Sequence, residues 1–271
     1  MQSVIPSGVE GYIVKTHAST SLSMTVKANR TFIVTYTDTH KIKIKAMKKY
    51  FILAILTISS MFLSAQNLQL HYDFGKAKDH TTSMNREYFT STLEFFKPDS
   101  LGSTFMFVDV DYDKPNRGAS MAYFEIARKF TLHKKSGLGL QVEYNDGTPV
   151  YITKAWLGGL SYPIKLGGVT INASLLYRAN YGAKSADGQI TFVWYQPLFK
   201  SRLIFTGFMD IWSQDKFSGS GKDVVFLTEP QLWYAITKQL SIGSEIEISR
   251  NFFTFDGDFE IMPTIAAKWN F

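Results

Sequence analysis

The chain of 271 residues contains no cysteine and only 5 histidines, of which His71, His80 and His133 lie beyond residue 65. Without thiols it has no disulfide bonds and no thiolate nucleophile. The spacings His-x-x-x-His and Gly-x-Ser-x-Gly are absent, and His71 with Asp73 is more simply a polar pair on one strand face than an acid–base pair. We therefore expect no enzyme, no catalytic residue, no cofactor and no metal site.

An excess of one charge is also missing from most of the chain. The whole sequence has 29 Lys and Arg against 23 Asp and Glu, but residues 1–65 hold eight of the basic groups and two of the acidic ones. Residues 66–271 therefore carry 21 of each and a net charge of zero. Phosphate binding needs a basic surface on the folded domain, so we expect no nucleic-acid partner.

Long apolar runs are scarce. Beyond Gln66, no segment approaches the ~20 consecutive apolar residues of a membrane-spanning helix. Before it, two lysines precede an apolar run over 51–62, and Ala65 ends a small-residue cleavage site. This order is typical of a secretory signal, so we predict a signal peptide at 47–65; a buried core helix is the alternative.

Residues 1–46, upstream of this signal, have no sustained apolar period. Export signals act from the amino terminus, so we expect translation to begin at Met47 and 1–46 to be a mis-assigned, disordered extension; a genuine extension is the alternative.

If the signal peptide is removed after Ala65, amino-terminal sequencing of the membrane-extracted protein should give a sequence that begins near Gln66. Recovery of protein that retains 1–46 would contradict this prediction.

What residues 66–271 do contain is alternation. In NLQLHYDF, Leu68, Leu70 and Tyr72 fall on one face, while Gln69 and His71 fall on the other. This period of two indicates a strand between unlike environments. The pattern recurs in about twelve segments, near 67–74, 88–96, 103–112, 121–130, 138–144, 155–162, 170–177, 189–195, 203–212, 224–234, 240–249 and 259–271.

The links between these segments differ in length. Those after odd-numbered segments are longer and polar, and those after even-numbered segments are mostly tighter. Long extracellular loops and short periplasmic turns are typical of a transmembrane β-barrel. We predict an all-β, twelve-stranded antiparallel transmembrane β-barrel over 66–271, although about 8 to 14 strands would fit the pattern.

A soluble β-sandwich or lipocalin-like barrel would alternate as well. Its apolar side chains would point inward and its charges outward, whereas here the polar faces carry many small or uncharged groups that suit a wet lumen. Aromatic residues also collect near segment ends on the apolar face, as in the interfacial girdles of membrane barrels. They are Tyr72, Phe74, Phe95, Tyr112, Phe130, Tyr144, Tyr162, Tyr177, Trp194, Trp269 and Phe271.

Several motifs carry a resemblance to a known group: LGSTFMFVDVDY, AYFEIARKF, TGFMDIW, EPQLWY, EIEISRNF and PTIAAKWNF. They resemble an outer-membrane protein family similar to the nucleoside-specific channel-forming (Tsx-like) barrels. The resemblance implies a twelve-stranded barrel in the cell outer membrane, surrounded by its lipid. It implies nucleoside transport only indirectly, through the similarity of this family to the nucleoside channels. The strand that ends at Phe271 is similar to the closing strands recognised by the barrel assembly machinery, which makes that machinery an expected partner.

If the apolar faces meet lipid, the opposite faces line an acidic lumen with few basic partners, such as Lys129, Arg178 and Lys268. Carboxylates in a pore favour cations, and aromatic rings offer surfaces for stacking. Carboxylates two residues apart could also bind a hard cation, but strand parity alone produces such pairs. We expect the substrate path to include Asp210, Trp212, Phe208, Asp109, Asp111, Glu245, Glu247, Trp233 and Arg178.

The sequence therefore predicts a channel for passive diffusion of small neutral or cationic solutes, with nucleosides as the candidate substrates. In this hypothesis Asp210 accepts hydrogen bonds from the solute, and Trp212 or Phe208 stacks on it. Two alternatives stay open. One is a closed structural or adhesive barrel whose inward side chains fill the lumen, and the weaker one is an outer-membrane hydrolase.

Overall fold

The computed structural model describes residues 66–74, 86–113, 118–148, 152–216, 219–252 and 257–271. The predicted signal peptide at 47–65, the upstream segment 1–46 and His80 lie outside these ranges. In the ranges described, no helix is long and apolar enough to cross a membrane. The regular structure in this part of the chain is β-strand.

Thirteen strands follow the period-two alternation segment by segment. They are β1 Gln66–Asp73, β2 Phe89–Asp99, β3 Gly102–Asp113, β4 Gly118–His133, β5 Leu138–Thr148, β6 Ala155–Leu166, β7 Val169–Asn180, β8 Asp187–Leu198, β9 Leu203–Asp215, β10 Lys222–Thr228, β11 Gln231–Ala235, β12 Leu240–Arg250 and β13 Phe259–Asn270. Each predicted segment overlaps a strand, and the segment predicted at 224–234 is divided between β10 and β11. Strand β4 runs to His133, which the sequence pattern had placed in a link.

The strands form one antiparallel sheet that closes on itself. Strand β13 pairs with both β12 and β1, so the first and last strands are neighbours. Strands β10 and β11 together occupy one position between β9 and β12. The sheet therefore has twelve positions, which confirms the predicted twelve-stranded antiparallel barrel.

The division between β10 and β11 falls at Glu229 and Pro230. Proline has no N–H to donate to the ladder. The wall stays continuous because the N–H of Ile246 donates to the carbonyl oxygen of Pro230 at 3.1 Å, and the N–H of Glu229 donates to that of Phe208 at 3.1 Å. A Cβ at Gly207 would lie 2.4 Å from the carbonyl oxygen of Glu229, so this position requires glycine.

The links alternate between the two ends of the barrel. Links 100–101, 134–137, 167–168, 199–202 and 236–239 lie at one end, which we name the turn end. The other end, named the loop end, is where β1, β3, β5, β7, β9 and β12 end. The tightest turns include Gly167 and Gly168, whose φ angles of 55° and 90° suit a two-residue hairpin.

The outer surface between the two ends is apolar. Leu160, Leu175 and Ile265 are exposed there, whereas Ser161 and Ser174, their neighbours along the strands, point inward and are buried. A barrel in water would have the opposite distribution. An apolar exterior with a polar interior is the arrangement of a wall that faces lipid, as predicted for a transmembrane barrel.

Exposed aromatic side chains lie near both ends of this surface. Near the loop end they are Phe74, Tyr112 and Tyr177, and near the turn end they are Phe130, Trp269 and Phe271. Aromatic rings at these two levels are typical of membrane interfaces. The sequence analysis had placed Phe95 in the same girdle, but this side chain is buried.

Leu175→Arg should lower the free energy of unfolding in lipid by about 2 to 4 kcal/mol, because it places a guanidinium against the hydrocarbon near the middle of the wall. Leu175 is 67% exposed and central in β7. Asn172→Arg adds the same charge to the inward face of that strand and should cost about 0.5 kcal/mol or less. Chemical unfolding of both variants in lipid vesicles gives the comparison, and equal losses would contradict the face assignment.

Candidate functional site

The interior of the barrel holds all nine residues assigned to the substrate path. In an antiparallel pair, directly opposed residues share a face. The register therefore extends the inward face from buried Thr191 to Asp210, and from buried Gln189 to Trp212. The same reasoning places inward the remaining members Phe208, Arg178, Asp109, Asp111, Glu245, Glu247 and Trp233.

One group of these residues lies on β7 and β9, and its central member is Arg178. The Nε of Arg178 donates to Asn180 Oδ1 at 2.8 Å, and its Nη1 donates to Gln189 Oε1 at 2.6 Å. The guanidinium also lies over the Trp212 ring, 5.2 Å from the centroid. Strands β7, β8 and β9 are thus tied together on their inward side by one cation that is fixed in orientation.

Six inward carboxylates share the middle of the lumen, and we name them the carboxylate belt. Its members are Asp109, Glu125, Glu143, Asp210, Glu229 and Glu245. Several are held by uncharged donors on the same or the next strand. The Tyr123 hydroxyl donates to Glu125 Oε2 at 3.1 Å, and Gln141 Nε2 donates to Glu143 Oε2 at 3.1 Å. Such donors fix a carboxylate without cancelling its charge.

The same pattern holds on the other side of the lumen. The Thr92 hydroxyl donates to Asp109, and Gln231 Nε2 donates to Glu245. Asp210 differs, because its Oδ1 is buried without a hydrogen-bond partner.

The belt is narrow enough for opposite walls to interact. Asp109 on β3 interacts electrostatically with Glu245 on β12 and with Glu229, although these strands are four or five positions apart in the closed sheet. Glu125 and Glu143 interact in the same way with Asp210 on β9. The cation that faces this second set is Arg178. Carboxylates therefore line the interior on several sides at this level.

Near the loop end, the carboxylates are paired with a cation instead. The Nε of Arg86 lies 2.9 Å from Asp73 Oδ2, and its Nη1 lies 2.7 Å from Glu247 Oε2. We name Asp73, Arg86 and Glu247 the mouth triad. The sequence analysis missed Arg86, because it lies in a link without periodicity, where no pattern indicates that a side chain turns inward.

Trp233 and His71 lie nearer the turn end, in a packed part of the interior. Trp233 is fully buried, with Lys268 Nζ 4.0 Å from its ring centroid and His71 edge-on at 5.8 Å. The Nδ1 of His71 is 3.1 Å from Thr264 Oγ1, and its Nε2 is 3.0 Å from Gln69 Oε1. His71 thus hydrogen-bonds to uncharged neighbours and also lies 3.9 Å from Glu245 Oε1, while Asp73 pairs with Arg86.

Trp212 does not have the open face that stacking on a solute requires. The residue is 7% exposed, packs with Val225 and Leu227, and has Arg178 over its ring. The Trp212 ring is therefore covered in this structure, because alternation determines the face of a side chain but not its packing. Its role as a stacking surface stays a prediction. Phe208 packs against the same cluster and stays partly exposed.

A set of partly exposed rings outside the predicted substrate path lies on β3 and β4. The ring centroids of Phe105 and Phe107 are 5.7 Å apart, and those of Phe107 and Tyr123 are 5.6 Å apart. Their contact depends on the register between β3 and β4, which no local pattern gives. We name these three residues the aromatic track. It leads to Glu125, which accepts a hydrogen bond from Tyr123.

Residues 65–271 match the model of a domain of unknown function, DUF5020. The chain belongs to this family. No curated protein matches it. Among solved structures, the KdgM porin is 8% identical over 76% of this chain and 98% of its own, with a TM-score of 0.45. The NanC porin is 11% identical over 76% and 100%, with a TM-score of 0.48. Omp33 of Acinetobacter baumannii is 12% identical over 76% and 98%, with a TM-score of 0.39.

In the ranges described, no group of three or more His, Asp or Glu side chains is placed to hold a metal ion.

Trp212→Ala should lower the free energy of unfolding by about 3 to 5 kcal/mol, because it removes a buried ring that packs with Val225, Leu227 and the Arg178 guanidinium. Trp156→Ala is the matched control, since that ring is 60% exposed on the outer surface and its loss should cost less. Denaturant unfolding in lipid, followed by tryptophan fluorescence, measures both. A smaller loss for Trp212→Ala than for the control would contradict the packing role.

Proposed function

We propose that the DUF5020 chain is an outer-membrane channel for passive diffusion of small neutral or cationic solutes. The observation that carries this proposal is the carboxylate belt, in which carboxylates from different walls meet and are held largely by uncharged donors. A lumen with uncompensated negative charge attracts cations and repels anions. The outer-membrane location is supported by the apolar exterior and by the signal predicted at 47–65.

Solvent reaches part of the lumen, which supports an open path. Phe105, Phe107 and Tyr123 of the aromatic track are partly exposed although they face inward, and Asn172 on the inward face of β7 is exposed.

Nucleosides are the specific solutes that we propose for this channel. Phe208 and the aromatic track offer flat surfaces. Asp210 lies on the same strand as Phe208, and its Oδ1, which is buried without a partner, would accept from a ribose hydroxyl or a base amine once a side-chain movement uncovers it. Stacking of a base on one ring contributes about 1 to 3 kcal/mol in single-strand binders.

A closed structural or adhesive barrel is the second candidate. The mouth triad and the buried set around Trp233 favour it, because they fill the lumen with paired side chains near its two ends. The two candidates differ in one measurable property, which is the current through the protein in a planar bilayer. A closed barrel passes no current.

The membrane-extracted protein should conduct and prefer potassium over chloride. Changing Glu125→Gln, Glu143→Gln or Asp210→Asn should lower that permeability ratio by about fourfold each. One unit charge at ~10 Å in water changes the energies of potassium and chloride by roughly 0.4 kcal/mol in opposite directions. Asp146→Asn is the control, since this carboxylate accepts from Tyr144 on the outer face. Reversal potentials in a salt gradient give the ratios, and a silent bilayer would favour the closed barrel.

The same preparation tests the nucleoside proposal. Added nucleosides should block the current, and Phe208→Ala should weaken that block by up to tenfold for each ~1.4 kcal/mol of stacking lost. A protein that conducts potassium but is not blocked by any nucleoside would leave the channel in place and refute the substrate.

A further inference from the structure

Arg86 occupies a position that the channel function alone does not explain. It belongs to the link between β1 and β2, yet its guanidinium lies inside the loop end of the barrel. One of its partners, Asp73, is on β1, and the other, Glu247, is on β12, so the ion pairs connect two strands that are separated by β13. Its Nε also donates to the Tyr88 hydroxyl at 3.0 Å.

The mouth triad is shielded from water. The side chains of Arg86, Asp73 and Glu247 are 14%, 3% and 9% exposed. Mobile ions screen a buried pair much less than an exposed one, so the compensation of charge here persists at working salt concentrations. Arg86 thus compensates one of the two carboxylate charges of the mouth triad, which keeps a net charge of −1. In the belt, uncharged donors leave the carboxylate charges in place.

We infer that Arg86 is a selectivity-determining residue of the channel. It compensates one of the two carboxylates of the mouth triad, so an entering ion meets less uncompensated negative charge at the loop end than it would without Arg86. Without Arg86, Asp73 and Glu247 would add to the acidic path and increase the preference for cations. This inference rests on the proposed channel function, and it adds a residue that belongs neither to the belt nor to the predicted substrate path.

A purely structural role for Arg86 is the competing explanation, and charge-preserving variants distinguish the two. Arg86→Gln removes the charge, whereas Arg86→Lys keeps it and loses the two-pronged geometry. The double variant R86Q/D73N removes one charge of each sign and returns the mouth to its original net charge. Arg128→Gln is the control, because Arg128 pairs with Asp99 on the outer face at the turn end.

The experiment measures potassium-to-chloride permeability ratios of the membrane-extracted full-length variants in planar bilayers. Arg86→Gln should raise the ratio by about fourfold, because one unit charge near the ion path acts with opposite sign on potassium and chloride. Arg86→Lys, R86Q/D73N and Arg128→Gln should stay at the wild-type ratio. A role through charge predicts this pattern. A role through stability would also change the ratio in Arg86→Lys and in the double variant, because both disrupt the geometry of the triad.

Two results would overturn the inference, and they differ in whether they also refute the proposed channel function. A conducting wild type whose ratio is unchanged in Arg86→Gln refutes the role of Arg86 and leaves the channel intact. A silent wild type refutes the channel and the selectivity role together. If Arg86→Gln does not fold, an Arg86→Lys ratio that departs from wild type also refutes the role, since the charge is still present.

Discussion

The backbone of a wall in lipid has to satisfy its own hydrogen bonds, because hydrocarbon offers no donor or acceptor. In this chain the requirement is met by closure, in which β13 pairs with β12 on one side and with β1 on the other. The rest of the structure depends on that closed ladder. Once the register is set, each residue of a strand faces either lipid or the lumen, and a shift of one residue would exchange the two faces. The wall tolerates Pro230 only because Gly207 and the neighbouring carbonyl groups accommodate the break.

The inward faces bring polar side chains from all strands into a narrow space, where these groups need hydrogen-bond partners. Two arrangements provide them. Near the loop end a buried cation, Arg86, pairs with two carboxylates. In the middle, carboxylates such as Glu125 and Glu143 take hydrogen bonds from a neighbouring hydroxyl or amide. Both arrangements satisfy hydrogen bonds, but only the first cancels charge, so the chemistry of the donor decides the electrostatics of each level.

Much of this fold follows from the sequence, because period-two alternation is a local property that survives in each segment. The strands, their faces and the two kinds of link could all be predicted from it. The division at Pro230 was missed, since one proline in a long apolar run looks like a strand edge or a bulge. Arg86 was missed because a link has no period. The burial of Trp212 could not be predicted either, because it depends on Val225 and Leu227 from a strand whose register no local pattern gives.

The amino-acid composition alone does not reveal that the lumen is acidic. Residues 66–271 have a net charge of zero, yet the charges are separated in space. Carboxylates collect on inward faces, while several basic residues, Lys134, Lys135, Lys200, Arg202 and Lys238, lie in the links of the turn end. A sum over the chain cannot register this separation. An ion responds instead to the charges nearest its path, and these are set by strand parity. Moving the carboxylate of Glu143 by one residue along β5 would turn it from the lumen to the lipid and leave the net charge unchanged.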